Sequence, residues 1–380
     1  MYYTFKKNER YKYVDTIDAL FSSSNMQIQF EDNDLERYQT SIVDILPLDK
    51  RISDEQLKVA TIQIKNLATE IENPEEEYIE FKIPKKTKGF RTIKAPKPNL
   101  KTAQKKAANI LQYYLKVLPH DSAWAYTKGR DVVGAVKEHT NNKSNWYLKI
   151  DLKDFFGSCN PEFITRQLKD LYPFAIMSES IQDTFITSLL HLAIKDDSLP
   201  QGTPLSPILT NLIMVPIDYK INKTINKLVK DNIIFKQRYV YTRYADDIII
   251  SAKCSFDFKQ IIEAIELVLK DTPLVINKDK TRYGSSAGRN WNLGIMCNKD
   301  GDTTVGYKRK REIKAAVHNY FTSRSEEPWS LEDLRWLLGQ LSWLQNVEPN
   351  YFKGFRKYLS DKYNTDIKDL IILDIKNYNN

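Results

Sequence analysis

The chain has 380 residues, and its basic side chains outnumber the acidic ones by 57 to 49, which leaves a net charge of +8 at pH 7. Such a charge favours a partner with a phosphate backbone but is common in other proteins too. No apolar run could span a membrane and the N-terminus lacks the apolar core of a secretion signal, so we expect a cytoplasmic protein with no membrane partner. The three cysteines are isolated and odd in number, which excludes a disulfide framework and a zinc site.

The first part of the chain carries no motif of known chemistry. Its clearest element is a helix predicted from Asp54 to Ile71, and an acidic, proline-containing segment at 72–77 then indicates a domain boundary. We therefore expect residues 1–75 to form an N-terminal extension of unknown role. Cations are concentrated just beyond it, over residues 82–106.

An acidic residue ends the next strong pattern. The run Trp146–Asp151 predicts a buried strand, and Leu152-Lys-Asp-Phe-Phe156 follows it. Asp151 is a candidate metal ligand, because a carboxylate at the end of a buried strand is costly unless a cation neutralises it. The alternative is that Asp151 only caps the strand.

A glycine turn leads into a helix at Leu199-Pro-Gln-Gly-Thr-Pro-Leu-Ser-Pro. Ser206 is the predicted N-cap and Pro207 the first helical residue. Backbone N–H groups at such a turn can approach a nucleotide closely, which makes Gln201 and Gly202 candidates for contact with its sugar or base. The alternative is a simple connection.

Two adjacent carboxylates lie at the tip of a predicted hairpin. Tyr244-Ala-Asp-Asp247 separates two strongly β-forming runs, and a tight turn holds its tip rigidly. If the strands that end in Asp151 and at Asp246-Asp247 are neighbours, three carboxylates surround a metal pair roughly 3.5–4 Å apart, the spacing of two-metal phosphoryl transfer. The alternative is a solvated acidic turn.

The remaining elements are mostly helical. Apolar spacing predicts a helix over 256–270, a strand near Val275, and two further helices over 307–323 and 330–345. In the last helix Leu334, Leu337, Leu338, Leu341 and Leu344 share one face, which indicates a core. The basic run at 307–311 faces either a nucleic-acid duplex or solvent.

The order of acidic strand, Pro-Gln-Gly helix and Tyr-Ala-Asp-Asp hairpin resembles the reverse transcriptase family over roughly residues 80–296. The resemblance implies an α+β, right-hand polymerase fold with fingers, a palm of antiparallel sheet backed by helices, and a helical thumb. The implied boundaries are 76–145 for the fingers, with 157–205 contributing, 146–290 for the palm, and 291–380 for the primer grip and thumb.

The resemblance also implies roles for individual residues. Asp151, Asp246 and Asp247, with the backbone carbonyl of Leu152, hold two Mg²⁺ ions, for which Mn²⁺ can substitute. The resemblance implies triphosphate binding for Lys85 and Arg91, a wall under the sugar for Phe156, and nucleotide positioning for Gln201 and Gly202. It also implies protonation of pyrophosphate by Lys280, as part of catalysis, and a primer grip at Gly294. The concentration of positive charge itself makes Lys308, Arg309, Lys310 and Arg311 candidates for nucleic-acid binding.

The implied function is RNA-templated DNA synthesis from dNTPs on a DNA or RNA primer. Short bacterial members fit best, and a defence-associated enzyme that copies its own structured RNA is preferred over a retron enzyme. The reason is that this sequence departs from two retron motifs: from Asn-Ala-x-x-His at residues 134–139, and from Val-Thr-Gly at residues 292–294. Template-independent or protein-primed DNA synthesis, an RNA-binding scaffold, a partner protein and a homo-oligomer all stay open.

Overall fold

The computed structural model describes residues 52–84, 89–231, 239–285, 291–297, 302–324 and 328–378. Most of the predicted N-terminal extension, and Lys85, lie outside the described residues. In chain order the first elements are α1 (Asp54–Thr69), β1 (Tyr78–Pro84), β2 (Phe90–Pro96), α2 (Pro98–Asn109), α3 (Val132–Asn141), β3 (Trp146–Asp151), α4 (Pro161–Lys169) and α5 (Glu179–Ala193).

The second half of the chain holds the Tyr-Ala-Asp-Asp hairpin and a helical C-terminal part. Its elements are α6 (Ser206–Ile213), α7 (Val215–Asp231), β4 (Val240–Tyr244), β5 (Asp247–Ala252), α8 (Phe258–Leu269), β6 (Arg282–Ser285), β7 (Trp291–Asn292), β8 (Ile295–Cys297), β9 (Thr303–Thr304), α9 (Tyr307–Ser323), α10 (Leu331–Val347), α11 (Pro349–Tyr363) and α12 (Ile367–Asn377).

Helix boundaries follow local capping chemistry. At the start of α1 the Ser53 hydroxyl accepts from the Gln56 N–H while the Gln56 side chain accepts from the Ser53 N–H, a capping box. This helix, and those predicted over 256–270, 307–323 and 330–345, are confirmed to within two residues at each end. None of the helices among the described residues has the length and apolar character needed to cross a membrane.

The central feature is a four-stranded antiparallel sheet in the order β4-β5-β3-β6. The inner strand β5 contains three consecutive isoleucines, Ile248 to Ile250. Each is 3% exposed or less, because both faces of the strand are covered. Helices back the sheet through one extensive apolar core. The architecture is the predicted α+β class, with antiparallel sheet backed by helices.

The strand predicted near Val275 is wrong in position. The fourth strand is β6, and residues 274–277 contribute only an isolated bridge between Leu152 and Ile276. Pro273 cannot donate a ladder hydrogen bond, and the backbone turns at Asn277, whose carbonyl accepts from the N–H groups of Lys280 and Thr281. This turn places Asn277 and Lys280 beside the end of β3.

A second apolar core lies in the C-terminal part of the chain. In α10, Leu334, Leu337, Leu341 and Leu344 are at most 2% exposed, while Leu338 packs at the edge of the cluster and is only partly buried. Residues of α3, the short sheet β7-β8-β9 and helices α9 to α12 complete this core. It is separate from the core behind the central sheet, as expected for a helical subdomain with its own apolar interior.

Candidate active site

The Tyr-Ala-Asp-Asp segment forms a two-residue hairpin between β4 and β5. Tyr244 pairs with Asp247, and Ala245 adopts a left-handed φ of +57° at the first turn position. Primed turns of this kind match the twist of the flanking strands. The hairpin therefore holds its two aspartates in one fixed orientation, as the sequence predicted.

Asp151 lies directly opposite this hairpin. It is the cross-strand partner of Asp247 at the last paired position of β3 and β5, and the Leu152 N–H donates to the Asp246 carbonyl at 3.1 Å. Three aspartates from two segments almost 100 residues apart thus lie at the same end of the central sheet. The structure brings together the residues that the spacing of motifs singled out.

Desolvation, together with neighbouring like charges, raises the pKa values of the hairpin carboxyls. Desolvation and then the charge of Asp151 raise the pKa of Asp246, while Lys280 and Arg91 act in the opposite direction. Asp247 is an exposed residue, yet the surrounding protein still removes part of the water around its carboxylate. This desolvation, together with the charges of Asp246 and Asp151, raises the pKa of Asp247 to about 6. The arrangement is electrostatically costly unless a cation is supplied.

Two side chains from the turn after α8 already bind Asp151. Asn277 Nδ2 donates to Oδ1 at 2.9 Å, and the Lys280 ammonium lies 3.0 Å from the carboxylate, with a side chain that is 64% exposed. Lys280 therefore lies at the predicted site, and Asn277 is a neighbour that the sequence did not reveal.

The carboxylates suit a divalent metal by their chemistry. Hard cations prefer oxygen ligands, and three aspartates that repel one another are such a donor set. Among the described residues, no three His, Cys, Asp or Glu side chains lie close enough together to hold a metal ion in this conformation. The Leu152 N–H points toward Asp246, and strand geometry directs the Leu152 carbonyl to the same side.

The predicted nucleotide-binding loop packs against the basic ribbon formed by β1 and β2. The Lys94 N–H donates to the Gln201 carbonyl at 3.2 Å, and Gly202 has a φ of +102°. A Cβ at Gly202 would lie 2.9 Å from the Ile93 side chain, so glycine is required by this close approach. Arg91, on the same strand as Lys94, is thereby held near the loop and the carboxylates.

Two local predictions need correction. Helix α6 begins at Ser206 itself, with Leu205 at the N-cap, because the Ser206 hydroxyl bonds to Thr203 Oγ1 at 2.6 Å. The segment after Leu152 is a series of turns and is not extended, with Asp154 at a φ of +40°. Phe155 is nevertheless buried and Phe156 only partly so, and their rings meet edge to face at 5.7 Å.

The sequence patterns did not predict a buried ion pair that lies close to the hairpin. Arg243 and Asp218 both have fully buried side chains, and the guanidinium donates to both carboxylate oxygens at 2.8–3.0 Å. Tyr241 Oη donates to the same carboxylate at 2.6 Å. Arg243 Nη1 also donates to the Ala245 carbonyl at 3.2 Å, within the catalytic turn. The available signal was an arginine inside a run read as a buried strand, which requires a buried partner.

The predicted nucleic-acid contacts in the C-terminal part lie in different environments. Gly294 has a φ of +79° in the turn between β7 and β8. Lys308 and Arg311 are exposed. Lys310 is engaged within the subdomain, since it lies 2.6 Å from Glu348 and over the Tyr351 ring, and Arg309 Nη2 donates to Gln340 at 2.7 Å.

Comparison with known proteins agrees with this geometry. The family described as reverse transcriptase (RNA-dependent DNA polymerase) matches residues 83–315. The retron Ec73 reverse transcriptase of Escherichia coli is 28% identical over 308 residues, which cover 79% of this chain and 93% of that protein. The retron Ec86 reverse transcriptase of the same species is 27% identical over 322 residues, which cover 83% and 90%.

A solved structure of telomerase from Candida albicans aligns with 78% of this chain and 60% of its own, at 14% identity and a TM-score of 0.43, a likeness too weak to argue from. The family match, by contrast, spans more than half of the sequence and includes each strand and turn of the site. Members of this family use divalent metal ions. The chain therefore belongs to the reverse transcriptase family and is an RNA-directed DNA polymerase.

Proposed function

We propose that this enzyme copies a dedicated structured RNA into DNA, in the cytoplasm, as part of an antiphage defence system. Asp151, Asp246, Asp247 and the Leu152 carbonyl would hold two Mg²⁺ ions, with Mn²⁺ as a substitute. The observation that carries the proposed chemistry is the cross-strand position of Asp151 opposite Asp247, with Asp246 in the adjoining turn.

When bound, the two ions would activate the primer hydroxyl and neutralise charge on the triphosphate. The other side chains bind and orient. Arg91, with Lys85, would bind the triphosphate through charge-assisted hydrogen bonds, and Gln201 and Gly202 would align the nucleotide. The exposed Lys280 ammonium would carry the proton that the departing pyrophosphate takes up.

Similarity to retron enzymes over four fifths of the chain supports a dedicated RNA template. The departures from retron motifs at 134–139 and 292–294 are the reason for preferring a defence-associated relative. DNA or RNA would serve as primer. The enzyme would act either alone, as a homo-oligomer or with a partner protein.

Sequencing the nucleic acid that copurifies with the protein tests this proposal. A single structured RNA, tightly bound or joined to complementary DNA, is the expected result. DNA of homopolymeric sequence made without RNA, or DNA attached to a tyrosine, would instead support template-independent or protein-primed synthesis. Survival of cells challenged with phage, with and without an Asp247→Asn variant, tests the defence role.

Phe156→Ala should admit ribonucleotides while polymerisation continues. Phe156 follows Asp151 by five residues and is only partly buried, so its ring can fill the volume that a 2′-hydroxyl would need. The measurement is single-nucleotide extension with matched dNTP and rNTP. Unchanged discrimination in an active variant would reject the sugar-wall role.

Phe155→Ala is the matched control for that experiment. Phe155 is 2% exposed and belongs to the main apolar core, so its truncation should cost about 3–5 kcal/mol of unfolding free energy as a cavity. Sugar discrimination should change less than in Phe156→Ala, because the Phe156 ring is kept and only its edge-to-face contact with Phe155 is lost.

Alanine at Lys308, Arg309, Lys310 and Arg311 together should weaken nucleic-acid binding and flatten its salt dependence. Each lost phosphate contact lowers the log–log slope by roughly 0.7–0.9 units. Lys310 and Arg309 are engaged with Glu348 and Gln340, whereas Lys308 has only a 4.0 Å ion pair with Glu312 at the surface, so Lys308 and Arg311 should account for most of the change. An unaltered slope, measured by binding across a salt series, would indicate that the cluster is only solvated.

A further inference from the structure

Tyr126 is a half-exposed aromatic residue at the catalytic end of the sheet that no motif singled out. It lies in the loop between the helical turn at 110–114 and α3, with 49% of its surface exposed. Its ring meets the Phe156 ring edge to face, with centroids 6.4 Å apart and planes at 74°. Phe156 is therefore bounded by Phe155 on one side and by Tyr126 on another.

The loop around Tyr126 is firmly attached to the strand that leads into the catalytic hairpin. The Arg243 N–H donates to the Ser122 carbonyl at 2.7 Å, and the Trp124 N–H donates to the Arg243 carbonyl at 2.8 Å. On the other side, Asn211 Nδ2 donates to the Ala125 carbonyl at 2.8 Å. Bonds immediately before Tyr126 thus fix it relative to both β4 and α6.

The backbone at Tyr126 is in a conformation that a large side chain rarely adopts. Its φ is +58°, in the left-handed region. Such a conformation is unfavourable for a residue with a large side chain and persists only where the surroundings determine it, which is common at functional sites. Here it is the hydrogen-bonded frame of the loop that maintains it.

The electrostatic surroundings also place the Tyr126 hydroxyl at the site. Desolvation and then the charges of Asp246 and Tyr244 raise its pKa, and Arg91 lowers it. The Tyr126 hydroxyl is thus close enough to Asp246 and Arg91 to interact with their charges.

We propose that Tyr126 is a positioning residue that holds the Phe156 ring in place. This inference rests on the proposed role of Phe156 as the wall under the sugar. The rigid loop presents the edge of Tyr126 to Phe156, and this contact keeps the Phe156 ring from rotating away from the incoming nucleotide. Discrimination between deoxyribonucleotides and ribonucleotides then depends on both rings. The hydroxyl of Tyr126 is not needed for this contact.

The test is a double-mutant cycle in which the measured quantity is the ratio of kcat/KM for matched dNTP and rNTP. Tyr126→Ala should lower this ratio by about two- to tenfold, the worth of one aromatic pair. Tyr126→Phe keeps the ring edge and should retain the wild-type ratio. In a Phe156→Ala background, Tyr126→Ala should cause no further loss, because the residue acts only through Phe156.

Tyr113→Ala is a control of similar exposure, 48% against 49%, whose ring contacts Lys128 of the same loop. It should leave the ratio unchanged. If Phe156→Ala lowers discrimination and Tyr126→Ala does not, the bracing role is wrong and the sugar wall stands. Additive losses would mean that Tyr126 acts on the sugar by itself, which also overturns the inference.

An unaffected ratio in Phe156→Ala would reject the sugar wall and the bracing role together. Thermal melting of each variant checks folding. If Tyr126→Ala does not fold, Tyr126→Leu replaces it, since leucine keeps bulk but lacks the aromatic edge. The same two- to tenfold loss is expected for it.

Discussion

Asp247→Asn should abolish nucleotide addition without destabilising the protein. The substitution removes one oxygen ligand and one charge from the proposed metal site, which costs several kcal/mol of charge stabilisation and hence a loss of about a thousandfold or more in rate. Asp246→Asn and Asp151→Asn should behave alike. Primer extension with a defined RNA template measures the loss, and binding of the same RNA should be largely retained.

The expected effect on stability follows from the sign of the pKa shift. Folding raises the pKa of Asp247 to about 6, so the native state binds this proton more tightly than the unfolded chain does. The ionised carboxylate therefore destabilises the metal-free native state above about pH 6, and the cost is absent below the unfolded value of about 3.9. At pH 8 the thermal midpoint of Asp247→Asn without metal should equal or exceed that of the wild type.

Addition of Mg²⁺ should reverse that order. A ligand that binds only the folded state raises the midpoint by mass action, and the variant should lose most of this rise. Asp183→Asn, at an exposed ion pair with Lys169, is the surface control and should keep both activity and the metal response. Normal extension by all three site variants would remove the catalytic assignment.

The parts of this site that could be predicted are those whose pattern is local. Apolar runs with an acid at the end predicted β3 and the hairpin, and once both strands belong to one sheet their acids meet. The helices over 54–71, 256–270, 307–323 and 330–345 were predicted with equal success, because apolar spacing and capping residues act within a few positions. The Tyr-Ala-Asp-Asp turn could be predicted from the β-forming runs on either side of it alone.

Most of the parts that failed depend on contacts between distant segments. The strand predicted near Val275 is replaced by β6 because the backbone turns at Asn277, where its N–H donates to the carbonyl of Asp151, 126 positions away. The Ser206 prediction failed for a local reason: Ser206 is the first residue of α6 and not its cap, and its hydroxyl bonds to Thr203, three positions earlier. Tyr126 carries no pattern at all, and its position follows from a loop frame built by Arg243 and Asn211. Sequence spacing contains none of this information.

Asp218→Ala should destabilise the protein about as strongly as Phe155→Ala, but for an electrostatic reason. Arg243 and Asp218 are both fully buried, so removal of the carboxylate leaves an uncompensated charge and also deprives the Tyr241 hydroxyl of its acceptor. Breaking such a pair costs about 3–5 kcal/mol. Denaturant unfolding of the wild type and the variant measures the difference.

The C-terminal subdomain offers a matched control with the same three residue types. Asp374 accepts hydrogen bonds from Tyr320 Oη and from Arg324, each at 2.6 Å, but its Arg324 partner is 38% exposed. Water can solvate the arginine left behind, so Asp374→Ala should cost no more than about 1–2 kcal/mol. Equal losses in the two variants would contradict the assignment of the effect to burial.

Replacing both Asp218 and Arg243 separates the contribution of this ion pair to stability from its role in holding the Tyr-Ala-Asp-Asp turn. In Asp218→Leu with Arg243→Met no charge is left buried, and most of the stability lost in Asp218→Ala should return. Arg243 Nη1, however, also donates to the Ala245 carbonyl at 3.2 Å and to Asn211 Oδ1 at 3.3 Å, and methionine supplies neither bond. The double variant should therefore fold yet extend primers more slowly, because the turn that carries Asp246 and Asp247 is held less firmly. Wild-type extension by a stable double variant would show that the hairpin strands alone position the two aspartates.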